Sequence, residues 1–256
     1  MDEAPSFSLD GKSALVTASG RGLGRAIAIA LAHAGADVAL GLRERDAAAE
    51  TVDAIEALGR RAVRLQMDMT RLAEIRDAVE QASDAFGGLD VLVNNAGIAR
   101  VSKAESVRVE DFDATIDINL KGTFFASQAA AAIMKRRGEG RIINIGSQAG
   151  LVALPGESVY CMTKAAIAHL TKCLAVEWGE HGITVNCVAP TFIETPGTEA
   201  ALGDPAFRAD VVERIAALHR IGRPGDVTGA VVFLASPAAS LITGTTITVD
   251  GGWTAR

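Results

Sequence analysis

The sequence contains few aromatic residues, few cysteines and no excess of basic side chains. Aromatics make up 4% of its 256 residues, so a core has to be built mainly from alanine, valine, isoleucine and leucine. That mixture suits parallel strands packed between helices. The 25 basic and 31 acidic residues give a net charge of −6, whereas a nucleic-acid groove requires a basic face. The composition therefore argues against a nucleic-acid partner.

The three cysteines, Cys161, Cys173 and Cys187, share no CxxC spacing. We interpret them as buried, reduced thiols, and we expect neither disulfides nor a metal site. Residues 1–10 have no apolar signal-peptide core, and no apolar run approaches the ~20 residues that a membrane helix requires. The sequence predicts a soluble, cytoplasmic protein that does not engage a membrane.

Short apolar, β-branched runs alternate with longer helical patterns along the whole chain. Strands are predicted at residues 13–17, 37–42, 61–67, 90–93, 141–145, 184–188 and 245–249. Helices are predicted at residues 22–34, 46–58, 72–86, 109–137, 158–180 and 226–234. This alternation indicates βαβ units with right-handed crossovers. The expected fold is therefore α/β, a single-domain, Rossmann-like, doubly wound parallel sheet over residues 1–256, flanked by helices on both faces.

The least regular segment, residues 190–209, is rich in threonine, proline, glycine and glutamate. It follows the carboxyl end of a predicted strand, which is where doubly wound sheets bind ligands. We expect this loop, with the helix that continues to about residue 215, to cover a substrate.

A glycine-rich turn, TASGRGLG, occupies residues 17–24, directly after the first predicted strand and at the start of a helix. Glycines allow a tight turn whose backbone N–H groups approach a pyrophosphate at the helix N-terminus. Because the turn has the strand-to-helix context that such a motif requires, it predicts dinucleotide binding.

The end of the second predicted strand bears on the type of dinucleotide. An acidic residue there would bind the ribose hydroxyls and disfavour a 2′-phosphate, but this sequence has Leu42 at that place. Arg43, helped by Arg21, can bind a phosphate through guanidinium hydrogen bonds. The alternative is that Arg43 is a solvated loop cation beside Glu44. The sequence favours NADP over NAD.

Tyr160 and Lys164 are four residues apart near the start of a long predicted helix and therefore share one face. A neighbouring ammonium favours the ionised phenol, which would make Tyr160 a usable proton donor and acceptor. Tyr160 is the only tyrosine of the chain, so no other residue competes for this role. Taken alone, the pair also fits an ordinary exposed helix surface.

Three further polar features stand beside apolar segments. Ser147 follows a predicted strand, where its hydroxyl can either meet a substrate oxygen or cap a turn. Asn119 lies inside an apolar helical stretch, either in a site or as a buried amide satisfied by backbone. The segment Asn94-Asn95-Ala96-Gly97 follows another strand and would ordinarily indicate a turn.

Taken in order, the glycine-rich turn, the N-N-A-G segment, the helical Asn119, Ser147 and the Y-x-x-x-K motif resemble the short-chain dehydrogenase/reductase family over essentially the whole chain. The resemblance implies that Tyr160 is the general acid/base and that Ser147 positions the carbonyl. It also implies that Lys164 lowers the pKa of the tyrosine and holds the nicotinamide ribose, while Asn119 anchors a water in a proton relay.

The resemblance further implies a set of cofactor contacts and a homotetramer with the long helices and last strand at its interfaces. Besides Tyr160, Lys164 and the Arg43 discussed above, the implied cofactor-binding residues are Thr17, Ser19, Arg21, Gly22, Leu23, Gly24, Asp68, Asn95, Ala96, Gly97, Pro190, Ile193 and Thr195.

Two positions depart from the family pattern. The turn usually opens with Thr-Gly, and here Ala18 follows Thr17. If that position requires a positive φ, alanine resists it, and the turn is reshaped. The usual Pro-Gly pair after the sixth strand is Pro190-Thr191, which affects the shape of the nicotinamide pocket.

The implied reaction is hydride transfer between the nicotinamide and a small carbonyl or alcohol, without a metal. Residues 147–150 and 190–195 look similar to segments of sugar, polyol and gluconate dehydrogenases, and Gln148, Thr191 and Glu194 can bond hydroxyls. One alternative is a 3-oxoacyl-thioester (acyl carrier protein) reductase, for which Arg100 and Lys103 offer only a thin basic patch. A remoter alternative is a non-catalytic, cofactor-sensing binding protein.

Overall fold

The computed structural model describes residues 4–255, and within them one parallel sheet forms the centre of the molecule. Its strands lie in the order β3-β2-β1-β4-β5-β6-β7, and every pairing is parallel. The strands are β1 (Ser13–Thr17), β2 (Asp37–Leu42), β3 (Ala62–Gln66), β4 (Val91–Asn94), β5 (Gly140–Ile145), β6 (Ile183–Pro190) and β7 (Thr246–Val249). The expected doubly wound sheet is confirmed.

Helices cover both faces of this sheet. They are α1 (Gly22–His33), α2 (Ala49–Glu56), α3 (Leu72–Phe86), α4 (Val109–Ile116), α5 (Thr123–Arg137), α6 (Ser158–Trp178), α7 (Glu199–Leu202), α8 (Pro205–Arg214) and α9 (Pro224–Ala235). Helices α1, α2 and α9 pack on one face, and α3, α5 and α6 pack on the other. None of the helices within residues 4–255 combines the length and apolar character needed to cross a bilayer.

The central strands β1 and β4 are apolar at consecutive positions because both of their faces are buried. In β1, Ala14 and Val16 pack toward α1 and α9, whereas Leu15 between them packs toward α3 and α5. In β4, Val91 and Val93 face the first layer and Leu92 faces the second. Successive side chains of a strand point to opposite faces, so a sheet covered twice needs such unbroken runs.

The observed elements correct several predicted ones. The helix predicted at 109–137 contains a π-helical turn at Asp117–Gly122, which includes Asn119. The helix predicted to begin at residue 46 begins at Ala49. All three cysteines are free thiols, but Cys173 is exposed, so the prediction that all three are buried is wrong. Residue 173 lies on α6, whose outer face turns away from the sheet.

Candidate active site

The carboxyl ends of β1, β4, β5 and β6 open into one cleft of about 400 Å³. The strand order places β1 directly beside β4, where the helical connections change from one face of the sheet to the other. The cleft brings together nine of the predicted site residues, which are Leu23, Asn95, Gly97, Ser147, Tyr160, Lys164, Pro190, Ile193 and Thr195.

The glycine-rich turn is left-handed at two positions and is not reshaped by the alanine at position 18. Gly22 has φ +55°, and Ala18 also adopts the left-handed region, with φ +53°. A Cβ on Gly24 would collide with the carbonyl of Ala18 and would lie 2.5 Å from Nδ2 of Asn95. The turn therefore requires glycine at position 24, and it keeps its left-handed shape at position 18 although alanine resists it.

Hydrogen bonds tie this turn to the end of β4. The Thr17 hydroxyl accepts bonds from the backbone N–H groups of Asn95 and Ala96, each at 2.9 Å. The Asn95 amide donates to the Thr17 carbonyl at 3.0 Å. Thr17, Asn95 and Ala96 thus hold two loops of the cleft together.

The turn also fits the pyrophosphate of a dinucleotide. Helix α1 begins after Arg21 without a capping side chain, so its first N–H groups are free to bind an anion. The buried hydroxyl of Ser19 has no hydrogen-bond partner within residues 4–255. An unpaired buried hydroxyl beside uncapped N–H groups, in a turn that excludes side chains at Gly24, suits a phosphate ligand.

Arg43 and Asp68 lie beyond the cleft, at the ends of β2 and β3. The Arg43 side chain is 78% exposed and has only a 3.5 Å contact with the Glu44 carboxylate. Burial raises the pKa of Asp68, but hydrogen bonds from Thr70 outweigh it and leave that pKa below its usual value. The exposed guanidinium beside Glu44 agrees with the alternative of a solvated loop cation, and its exposure also leaves it accessible to a 2′-phosphate.

Lys164 is buried in α6, below the cleft. Its ammonium donates a 2.7 Å hydrogen bond to the carbonyl of Ile145 and lies 5.6 Å from the centre of the Tyr160 ring. Burial lowers the pKa of Lys164 to about 8, although the thiol of Cys187 acts in the opposite direction. Burial of this ammonium therefore works against its charged form.

Tyr160 stands at the start of the same helix with its phenol surrounded by the cleft. Burial raises the pKa of Tyr160 to about 12, and a hydrogen bond from Ser147 opposes that rise. Glu157 and Cys161 raise the pKa further. The direction is opposite to the one expected from the Tyr160–Lys164 pair, because burial disfavours the charged phenolate more than the Ser147 hydroxyl favours it.

The Ser147 hydroxyl serves two purposes. It accepts a bond from the backbone N–H of Ala149 at 3.1 Å and so caps a short turn after β5. It also donates to Oε1 of Gln148 at 2.7 Å. Because a hydroxyl has one proton, Gln148 competes with Tyr160 and with any substrate oxygen for the hydrogen bond that Ser147 donates.

Neighbouring groups engage both N–H groups and one oxygen lone pair of the Asn119 amide. Its Oδ1 accepts from the backbone N–H of Ile98 at 2.8 Å, and its Nδ2 donates to the Ile98 carbonyl at 2.9 Å. The same nitrogen donates to the hydroxyl of Thr163 at 3.1 Å. The side chain thereby links the loop after β4 to α6, which agrees with the alternative of a buried amide satisfied by backbone.

Comparison with known proteins gives full-length matches. A family model described as enoyl-(acyl carrier protein) reductase matches residues 17–254. The 2-dehydro-3-deoxy-D-gluconate 5-dehydrogenase of Escherichia coli (strain K12) is 39% identical over 98% of both chains. The D-threitol dehydrogenase of Mycolicibacterium smegmatis is 40% identical over 98% of this chain and 95% of its own. A 3-oxoacyl-[acyl-carrier-protein] reductase of Synechocystis is 40% identical over 95% of this chain and 97% of its own.

Solved structures also match this chain over nearly its full length. The gluconate 5-dehydrogenase from Burkholderia cenocepacia J2315, in complex with NADP and tartrate, superimposes with a TM-score of 0.94 at 37% identity, over 98% of both chains. A short-chain type dehydrogenase/reductase from Mycobacterium marinum has a TM-score of 0.93 at 38% identity, again over 98% of both. The chain belongs to the short-chain dehydrogenase/reductase family.

As a short-chain dehydrogenase/reductase, the chain is an oxidoreductase. Its cleft is lined by one charged residue that the sequence analysis did not single out. Glu157 was not among the predicted site residues, although it stands one helical turn before Tyr160 and lines the cleft. It is half-buried, and burial raises its pKa. The i, i+3 spacing from Tyr160 was the available signal, but only a structure shows that both side chains face the cleft.

The segment after β6 forms one wall of this short-chain dehydrogenase/reductase cleft. The Phe192 ring packs edge-on against Phe207 of α8 at 5.5 Å and lies 5.8 Å from the Trp253 ring. Thr198 donates a hydrogen bond to the Ile193 carbonyl. Residues 4–255 contain no group of three or more histidine, cysteine, aspartate or glutamate side chains that could hold a metal ion.

Proposed function

We propose that this short-chain dehydrogenase/reductase oxidises or reduces a small sugar-like substrate, a polyol, a sugar or a keto-sugar acid, with NADP as its preferred cofactor over NAD. The observation that carries the proposal is the convergence of Ser147, Tyr160 and Lys164 in one cleft beside a turn that fits a pyrophosphate. The relatives named for gluconate derivatives and for threitol support the substrate class.

NADP would be held by the residues that the sequence indicated. Ser19, Gly22 and Gly24 would meet the pyrophosphate, and Arg43 with Arg21 would bind the 2′-phosphate, since both guanidinium groups are exposed. The remaining contacts would come from Thr17, Leu23, Asp68, Asn95, Ala96, Gly97, Pro190, Ile193 and Thr195. When bound, the nicotinamide supplies or accepts a hydride at its C4.

The protein's own groups act on the substrate oxygen. The Tyr160 hydroxyl donates its proton to that oxygen during reduction and takes it back during oxidation. Ser147 donates a second hydrogen bond, which stabilises the charge that develops on the oxygen. The Lys164 ammonium, 5.6 Å from the centre of the Tyr160 ring, would hold the ribose and bring positive charge toward the phenol. Asn119 would anchor a water that returns the proton to solvent.

A 3-oxoacyl-thioester reductase remains the second candidate, because the Synechocystis relative has that activity in its name. An acidic carrier protein would need a basic patch at the cleft mouth. Arg100, one of its two candidate residues, lies 3.8 Å from the Asp111 carboxylate, which weakens its field. A non-catalytic binding protein is disfavoured, because Asn119, Ser147, Tyr160 and Lys164 are all present.

Three further expectations belong to the proposal. Residues 1–256 act as one domain, with 190–215 covering the substrate. The enzyme works in the cytoplasm as a homotetramer, for which exposed apolar side chains of α4–α6 and the β7 edge would form the interfaces. Such side chains include Val109, Phe112, Phe124, Met162 and Val176. Light scattering should give about four chains per particle.

Nicotinamide absorbance during turnover tests the function. NADPH and NADH are offered with ketoses, keto-sugar acids and an acetoacetyl thioester, and the alcohols are offered with the oxidised cofactors. We expect turnover of at least one sugar-like compound, faster with NADP(H). Tyr160→Phe, which loses only the phenolic oxygen, should lower kcat at least 10³-fold (about 4 kcal/mol) while leaving the cofactor Kd nearly unchanged. Turnover of the thioester alone, or substantial activity of Tyr160→Phe, would refute the proposal.

A further inference from the structure

We infer that the cleft selects an uncharged polyol or ketose, and that Glu157 is the residue that accepts hydrogen bonds from its hydroxyl groups and rejects substrates bearing a carboxylate. The inference rests on the proposed function and narrows its substrate class.

The cleft is lined by few charged side chains. Of the described residues that line it, the charged ones are Glu157 and Lys164. Lys164 is 5% exposed, and its ammonium already donates to the Ile145 carbonyl. Arg100 and Lys103 are outside the lining, as is Arg208. A carboxylate on the substrate would therefore meet no free cation, because Lys164 is committed to the ribose.

Glu157 places a carboxylate in the cleft near Tyr160. It directly precedes α6, one turn before Tyr160, and its charge raises the pKa of that phenol. Its carboxylate thus lies within electrostatic reach of the reacting oxygen. Burial is the sole cause of its own raised pKa, since no described residue pairs with it. A second carboxylate in this partly desolvated space would be repelled, because charge–charge interactions strengthen as the local dielectric falls.

The hydrogen-bonding groups of the cleft match the donors and acceptors of a hydroxylated substrate. Gln148 is 2% exposed, and its Oε1 is occupied by Ser147, which leaves its amide nitrogen as the donor it can offer. Glu157 offers acceptors. A hydroxyl both donates and accepts, so a chain of hydroxyls can satisfy both residues. An aliphatic acyl chain would leave the Glu157 carboxylate half-buried and unsatisfied, which is costly.

Matched pairs of substrates test the inference. D-Threitol and D-threonate, and D-glucitol and D-gluconate, share their carbon number and differ in a terminal carboxylate. We expect kcat/KM with NADP+ to favour each polyol over its acid by at least about tenfold at fixed ionic strength. Glu157→Gln, which keeps the shape and removes the charge, should reduce that preference about tenfold, chiefly by lowering KM for the acids.

The control is Glu105→Gln, the same change at an exposed carboxylate outside the cleft lining. It should leave the preference unchanged. A second readout is the unfolding temperature of the NADP-loaded protein, which polyols should raise more than acids do. Equal or better use of the acids by the unaltered enzyme, or an unchanged preference in Glu157→Gln, would overturn the inference alone. Absence of turnover with all four compounds and with the earlier sugar panel would overturn the proposed function as well.

Discussion

Ala18, in the glycine-rich turn, adopts a conformation that glycine adopts more easily. Its φ of +53° brings Cβ too close to the backbone, which costs an L-residue about 1–2 kcal/mol. Ala18→Gly would remove that cost. Glycine also gives the unfolded chain more conformational freedom, which lowers the free energy of unfolding by about 0.4–1 kcal/mol. The expected net gain in the free energy of unfolding is about 0.5–1 kcal/mol. For a chain of this size, the gain corresponds to a rise in Tm of roughly 1–4 °C.

Differential scanning calorimetry measures this shift, and Ala132→Gly is the matched control. Ala132 is exposed in the middle of α5, where glycine costs about 1 kcal/mol relative to alanine. The same chemical change should therefore raise Tm at position 18 and lower it at position 132. Because the turn is already left-handed, the NADP Kd should stay within about twofold of the original, well under the tenfold that 1.4 kcal/mol would produce. A fall in Tm for Ala18→Gly similar to that of the control would refute the reasoning.

Three further predictions concern the cofactor, the acid/base group and acid stability. Arg43→Asp should lower the ratio of NADP to NAD efficiency at least about tenfold, because a charge-assisted bond is worth about 1.5–3 kcal/mol; an unchanged ratio would mean that Arg43 does not bind the phosphate. Ser147→Ala should shift the pH profile of alcohol oxidation upward, because Ser147 lowers the pKa of Tyr160; an unshifted profile would exclude that coupling. Hydrogen bonds from Arg220 hold the pKa of Asp226 at about 2 instead of 3.8, so the stabilisation is present above 3.8 and is lost as the pH falls toward 2. Asp226→Asn should therefore lower Tm at pH 6, with a difference that shrinks through this window; a constant difference would contradict the assignment.

The layered fold was predictable from the sequence because it depends on local patterns. Residues 14–16 of β1 and 91–93 of β4 are apolar without interruption, which is typical of strands buried on both faces. The turn at residues 17–24 was predictable for a similar reason, since its glycines follow a strand and open a helix. Spacing along α6 likewise put Tyr160 and Lys164 on one face.

The tertiary structure decided the features that depend on groups distant in the chain. Asn119 lies in a π-helical turn, and its amide is held by the backbone of Ile98, 21 residues away. The pKa of Tyr160 rises because the surrounding cleft desolvates it, an effect that the spacing to Lys164 does not reveal.

Within the candidate site, sequence alone determined which groups are available for the proposed proton transfer and their order along the chain. Only the tertiary structure decided which side chains stand around them. Glu157 and Gln148 become part of the cleft because β5 and the start of α6 meet there, and Ser147 donates to Gln148 because a short turn brings the two together. Reaction chemistry is carried by a few residue types at fixed spacing, whereas the fit to a substrate depends on the burial and pairing of every neighbour.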